Sequence, residues 1–307
     1  MEKRDNIKGD TLVRGTAADG TVRCMAAVTT DLVAEAQRRH ATSPTVAAAL
    51  GRTLTGTLLL GASLKELDRL TVQIIGDGPI GGITAEANAQ GQVRGYVRNP
   101  EANPDLNSKG KFDVRGVVGK GMFYVMRESG YDIGLYREPY RGSVPLMSGE
   151  IAEDFAYYLT KSEQIPSAVA LSVFLRASRA EEAPRVTAAG GVMIQLMPGA
   201  DEKTIATIEA GVPQTTQMIR EGAGPMEMLR TALGPIEFEL LDERPVSFAC
   251  TCSYERFASI LASIDRGELE TMLREDRGAV MTCHFCNETY YMDEAGLERV
   301  IKSELVQ

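Results

Sequence analysis

The sequence predicts an α+β protein with a large body of hairpins and helices, a short helical connector, and a small C-terminal module organised by cysteines. Three observations predict it. Strand-like runs follow one another with Gly, Asp, Asn and Pro between them, without the regular strand–helix alternation of a parallel sheet. One apolar stretch, Val46 to Leu64, has the length and small-residue content of a buried helix. Four of the five cysteines fall in the last fifth of the 307 residues, as Cys250-Thr-Cys252 and Cys283-His-Phe-Cys286.

The body, residues 1–200, is read element by element. Cys24 lies in Val22-Arg-Cys24-Met-Ala, a strand pattern, where a lone thiol serves as a small buried hydrophobe. Ser43-Pro44 is a helix start, with Ser as N-cap and Pro at the first helical position. The stretch that follows is interrupted by Gly51, Gly56 and Gly61, each costing about 1 kcal/mol of helix propensity, which close packing can offset. It carries Arg52 and several Thr and Gly, so it reads as a core helix laid against a sheet. A membrane span would need about 20 apolar residues.

Strands are predicted at Leu70–Ile75, Gly81–Glu86 and Gln92–Val97, then at Gly121–Val125, Tyr131–Tyr136, Ala168–Leu175 and Gly191–Leu196. Between them, Glu150–Thr160 places Ile151, Phe155, Tyr158 and Leu159 on one side of a helix. Residues 201–234 form the connector. Ile205, Ile208, Val212 and Ile219 fall near helical spacing, Pro213 interrupts them, and Pro225 opens a second helix bearing Met226, Leu229 and Leu233. Helices this short need docking to be stable. The cysteine module is placed at 235–307, with helices at Tyr254–Leu261 and Gly267–Leu273.

Composition narrows the function. An apolar fraction of 44% and a charged fraction of 24% are those of a soluble globular protein. Trp is absent, so stacking platforms for single-stranded nucleic acid are not advertised. The net charge of −9 is concentrated: residues 201–307 hold 10 Lys and Arg against 20 Asp and Glu, while residues 1–200 hold 23 against 22. An acidic C-terminal third argues against binding a phosphate backbone. The charged start, Met1-Glu-Lys-Arg-Asp, has no secretory apolar stretch, so a cytoplasmic location is expected, where thiols stay reduced.

Gly76-Asp-Gly78-Pro-Ile-Gly81 matches a dinucleotide-binding pattern, but the following segment is strand-like and Pro79 sits inside it, so a hairpin turn is expected. His40 and His284 are the two histidines, and no nucleophile motif accompanies His40. Met218, Met226 and Met228 read as core at helical spacing. Two close thiol pairs joined by a thirty-residue loop supply four sulfurs to one tetrahedral metal, usually zinc: Cys250, Cys252, Cys283 and Cys286. His284 is a lesser candidate ligand, because four thiols already complete the shell. Four protein ligands leave no position for a catalytic water. A structural zinc ribbon and a Cys-x-x-Cys oxidoreductase remain as alternatives at this point.

Phe248-Ala-Cys-Thr-Cys-Ser-Tyr-Glu-Arg-Phe257, followed by Cys283-His-Phe-Cys-Asn-Glu288, resembles the cysteine switch of the redox-regulated 33 kDa heat-shock chaperones of bacteria. Gln37-Arg-Arg-His40, Gly78-Pro-Ile-Gly81, Tyr157-Tyr-Leu-Thr-Lys-Ser-Glu-Gln164 and Gln195-Leu-Met-Pro198 resemble segments of that family's core domain. The resemblance implies a non-enzymatic, ATP-independent holdase with an α+β core, a helical linker and a zinc-binding redox-switch domain. It implies one zinc per reduced chain and, on oxidative stress, disulfides Cys250–Cys252 and Cys283–Cys286 with zinc release. A homodimer would then hold unfolded clients; nucleic acid and membrane are not expected partners.

Overall fold

The computed structural model describes residues 9–65, 68–108, 110–129, 139–177 and 183–303. Contacts divide the chain into two units, Met1–Ala249 and Cys250–Gln307. The first contains β1 (Thr11–Ala17), β2 (Val22–Val28), α1 (Thr30–His40), α2 (Pro44–Leu60), β3 (Arg69–Gly76), β4 (Ile83–Asn88) and β5 (Gln92–Val97). It continues with α3 (Val114–Val118), β6 (Gly121–Glu128), β7 (Tyr140–Pro145), α4 (Ala152–Lys161), β8 (Ser167–Arg176) and β9 (Arg185–Leu196). Three short helices, α5 (Glu202–Gly211), α6 (Thr215–Glu221) and α7 (Pro225–Leu233), lead to β10 (Phe238–Pro245) and β11 (Ser247–Phe248).

Two sheets result. One has the order β10-β1-β2-β9-β8 and is antiparallel throughout; the other has the order β11-β5-β4-β3-β6-β7, which β11 alone joins in parallel. The predicted core helix lies between them. α2 touches β8 and β9 of the first sheet and β4 and β5 of the second. Ser43 caps it, accepting a hydrogen bond from the Val46 amide, and 15 of its 17 residues are buried. The stretch Pro44–Ser63 is long and apolar enough to cross a membrane, but 94% of its apolar window is buried inside the fold.

A helix with neighbours on every side needs small residues and satisfied hydroxyls. The Thr53 and Thr57 hydroxyls donate to the carbonyls of Ala49 and Thr53, at 2.9 and 2.7 Å, while Thr55 pairs with Thr29 at 2.7 Å. At Gly56 a β-carbon would stand 2.4 Å from the Phe155 ring. That ring is itself held edge-on against Phe123, 4.9 Å between centroids.

The first sheet is apolar on both faces, as period-2 alternation allows. Leu12, Met25, Ala27 and Met193 join the core around α2. Val13, Cys24, Ala26, Val192 and Ile194 point the other way and are covered by Ile208, Ile219, Met228, Leu229 and Leu233 of α5–α7. The predicted connector is thus a packed layer, and its methionines are part of it.

The module boundary expected at residue 235 lies instead after Ala249. Residues 238–248 carry strand pairings to β1 and β5, and such hydrogen-bond partners are invisible in a local reading. β1, β7 and β10 are absent from the predicted strands for the same reason, and α1 and α3 are absent from the predicted helices. The predicted strand Tyr131–Tyr136 lies outside the described residues.

α1 is capped from a distance. Thr29 makes no side-chain cap because its hydroxyl faces Thr55, and Asp10 instead accepts from the Leu32 amide at 2.7 Å. Burial, only partly countered by this bond, raises Asp10 to about 6.

Two predictions follow from these packing arrangements. Gly56→Ala should lose about 1–3 kcal/mol in denaturant melts, despite its gain in propensity, because the Phe155 ring cannot yield freely. For Asp10, the folded value lies above the unfolded one, so its charge opposes folding above pH 6 and the penalty vanishes below about pH 4. Asp10→Asn keeps an acceptor and should raise stability by about 1–2 kcal/mol at pH 7.5, discounted for residual solvent screening, with no gain at pH 4.

Candidate metal centre

The second unit folds around its cysteines. Its elements are α8 (Tyr254–Leu261), α9 (Arg266–Glu275), β12 (Gly278–Thr282), β13 (Thr289–Asp293) and α10 (Glu294–Ser303). Phe257, Leu261, Leu269, Ala279, Met292, Leu297 and Ile301 form its core. The two helices predicted between the cysteine pairs are present, as α8 and α9.

Each thiol pair is positioned by a local motif. Cys283 and Cys286 sit in the turn of the β12–β13 hairpin, whose last pair is Thr282 with Thr289. The Cys283 amide donates to the Glu288 carbonyl at 2.8 Å, and the Asn287 amide to the Cys283 carbonyl at 2.7 Å. Asn287 has φ +59°, a left-handed conformation that Asn tolerates better than most residues. Cys250 and Cys252 lie on the irregular lead into α8, where Ser253 caps the helix by accepting from the Arg256 amide at 3.2 Å. Tyr254 and Phe257 meet edge-on, and Phe257 leans on Tyr290 of β13 with centroids 6.3 Å apart.

All four Sγ atoms lie within 4.8 Å of one another. Sulfurs of different pairs come close: Cys252 to Cys286 at 3.3 Å and Cys250 to Cys283 at 3.7 Å. A zinc ion about 2.3 Å from each of four tetrahedral sulfurs spaces them by about 3.8 Å, so the donor set fits one such ion. Cys286 is buried and the other three are half-buried. Among the described residues the converging donors are these thiols alone, and His284 is not a member.

Electrostatics add a constraint. Burial pushes the Cys283 and Cys286 thiols above the ordinary thiol value, so without metal they hold their protons at neutral pH. The Tyr290 hydroxyl donates to Cys252 Sγ at 3.2 Å, and that bond is the main reason its own value is raised. Sequence reading missed Tyr290. The available signal was alternation: Tyr290 and Met292 pack inward, while Tyr291 is exposed.

The remaining sequence candidates have structural roles. Gly76–Gly81 joins antiparallel β3 and β4 with no helix after it, and a β-carbon at Gly78 would meet the Val117 carbonyl oxygen at 2.4 Å. His40 closes α1 with its ring edge-on to Phe248, 6.5 Å between centroids. Cys24 is fully buried, its Sγ 3.4 Å from the Gly15 carbonyl, and burial pushes it up to about 12, so it is inert.

A family model described as Hsp33 protein matches residues 10–293. The 33 kDa chaperonin of Bacillus subtilis (strain 168) is 47% identical over 293 residues, covering 94% of this chain and 97% of the relative. That of Listeria monocytogenes serotype 4a is 47% identical over 297 residues, covering 95% and 98%. The crystal structure of the 33 kDa chaperonin from Thermotoga maritima superposes with a TM-score of 0.85 at 34% identity, over 97% of this chain and 99% of that one.

Metal binding must displace the protons that burial retains, so affinity should fall as pH falls, by up to about tenfold per pH unit for each proton released. Competition with a chromophoric chelator at pH 8 and pH 6.5 measures this. Cys286→Ser should lower the metal content of the purified chain at least severalfold by atomic emission.

Proposed function

The chain is a member of the Hsp33 family, and on that premise we propose that it is an ATP-independent holdase switched by the redox state of Cys250, Cys252, Cys283 and Cys286. The observation that carries this reading is the convergence of four sulfurs from two separate knuckles within 4.8 Å. They belong to a unit whose own core is seven buried side chains.

When bound, zinc holds the four sulfurs as thiolates and ties the start of the module to the turn of its hairpin. Coordination of this kind contributes about 10–16 kcal/mol of apparent binding energy in small peptides, well above what a small core supplies. A peroxide removes that contribution chemically. Each disulfide, Cys250–Cys252 or Cys283–Cys286, forms as two sulfurs give up two electrons to one peroxide, which leaves as two waters after taking up two protons. The sulfurs are then no longer thiolates, and the module loses its cross-link.

Exposure of apolar surface follows in this reading. α5–α7 are short, and what they cover is the face formed by Val13, Cys24, Ala26, Val192 and Ile194. Helices of that length do not persist without docking. Their release would present a continuous apolar sheet face to unfolded clients under oxidative stress. We assign the reduced chain one zinc, the oxidised chain a homodimeric state, and the protein a non-enzymatic role in the cytoplasm without nucleic acid or membrane as partner.

The test measures zinc per chain, and suppression of aggregation of a heat-labile enzyme, before and after hydrogen peroxide at mildly raised temperature. Loss of close to one zinc with a severalfold gain in suppression is the expected result. Zinc retained with no gain would leave a structural ribbon in its place.

A further inference from the structure

The helical layer over the first sheet is edged by methionine. Met218 stands near the end of α6 and Met226 in the first turn of α7, so the two bracket the turn at residues 222–224. Both are half-buried and pack against the apolar cluster that α5–α7 share with the sheet, whereas Met228 is fully buried within it. Met226 also lines an open groove with Leu240 and Asp242, which admits a small oxidant. The turn is held by local bonds: the Ala223 amide donates to the Met218 carbonyl at 3.0 Å, and the Gly224 amide to the Glu227 carboxylate at 3.0 Å. Beneath it, Ile219, Met228 and Leu229 meet the sheet. α6 has two further ties to β8, the Ser172 hydroxyl on Thr216 at 3.4 Å and the Arg220 guanidinium 5.8 Å from the Phe174 ring centroid.

We propose that Met218 and Met226 form a second oxidation site, at which conversion to methionine sulfoxide loosens α5–α7 from the sheet independently of the four cysteines. This rests on the reading above, in which release of that layer uncovers the client face. With hypochlorous acid as oxidant the step balances as follows. The thioether sulfur takes the chlorine as a chlorosulfonium while hydroxide leaves. Water then attacks the sulfur, chloride departs, and two protons are lost, one of them to the hydroxide. The sulfur gives up two electrons, the oxidant is reduced to chloride, and one oxygen stays on sulfur. The product puts a polar, chiral group where an apolar contact stood. Kept in place without a hydrogen-bond partner it opposes docking, and turned out to water it forfeits the contact. Helices of 10, 7 and 9 residues have little stability of their own to set against that loss. Reversal differs too: thiol reductants restore disulfides, whereas the sulfoxide needs its own reductases.

The experiment treats the full zinc-loaded chain with a limiting dose of hypochlorous acid, then restores its thiols with dithiothreitol and reloads zinc, steps that sulfoxides survive. An untreated chain carried through the same steps is the reference. Peptide mass spectrometry should find sulfoxide at Met218 and Met226 and little at Met228. Amide hydrogen exchange across residues 202–233 should quicken roughly tenfold or more, as unpaired polar groups at an apolar contact require. Methionine sulfoxide reductases of both stereochemical classes should reverse the change. Met218→Leu/Met226→Leu keeps volume and apolarity, and after the same dose it should exchange like the reference. Sulfoxide at both positions with unchanged exchange overturns the proposal. So does a lack of sulfoxide there, or equal loosening in the double leucine variant, which would place the damage elsewhere. Aggregation of a heat-labile enzyme separates this site from the reading it rests on. Quickened exchange with no gain in suppression leaves the methionine site standing and counts against the client face alone.

Discussion

Sulfur convergence is the constraint on which the second unit depends. A segment of about 60 residues buries too little apolar surface to be comfortably stable unaided, and here seven side chains form its core. The two knuckles lie apart in sequence, one at the start of the unit and one at the turn of its hairpin. Each is shaped by ordinary local devices: a Ser cap before α8, and a hairpin turn with one left-handed Asn. What local devices cannot do is hold the two knuckles together. Four thiols in one coordination sphere can, and burial that raises the thiols of Cys283 and Cys286 makes the protons that a metal must displace harder to remove.

In the first unit the corresponding constraint is the sandwiching of α2. A helix touched by two sheets can carry almost no charge and little bulk. That is why Gly51 stands where Val33 and Val173 close in, and Gly56 stands where Phe155 does. Arg52 is the exception, and it reaches Glu150 at 2.8 Å at the margin of the core. The second apolar face of the five-stranded sheet differs in kind. It is covered by three short helices, whose own stability depends on docking against it.

Much of the site was legible because metal ligation is a matter of residue type and spacing. Cys250, Cys252, Cys283 and Cys286 announce a cluster of four sulfurs before any coordinate is known, and the fold brings them within 4.8 Å of one another without His284. Tyr290 was not legible. A tyrosine in a strand becomes a sulfur partner only when alternation turns it inward and Phe257 fixes its ring. Gly76–Gly81 shows the opposite case: a ligand-binding pattern by spelling, resolved as a turn by the strand that follows it.

By itself the sequence determined the α+β class, the core helix and its cap, most central strands, and which four thiols could converge on one centre. These depend on composition, periodicity and short-range chemistry. Only the tertiary structure decided that residues 238–248 complete the sheets of the first unit, that the connector helices form a layer over an apolar face, and that Asp10, just before β1, accepts from the Leu32 amide in the first turn of α1. Those outcomes are set by pairing between residues distant in the chain, where the hydrogen-bond partner or the buried neighbour, rather than the local sequence, determines which structure has the lower free energy.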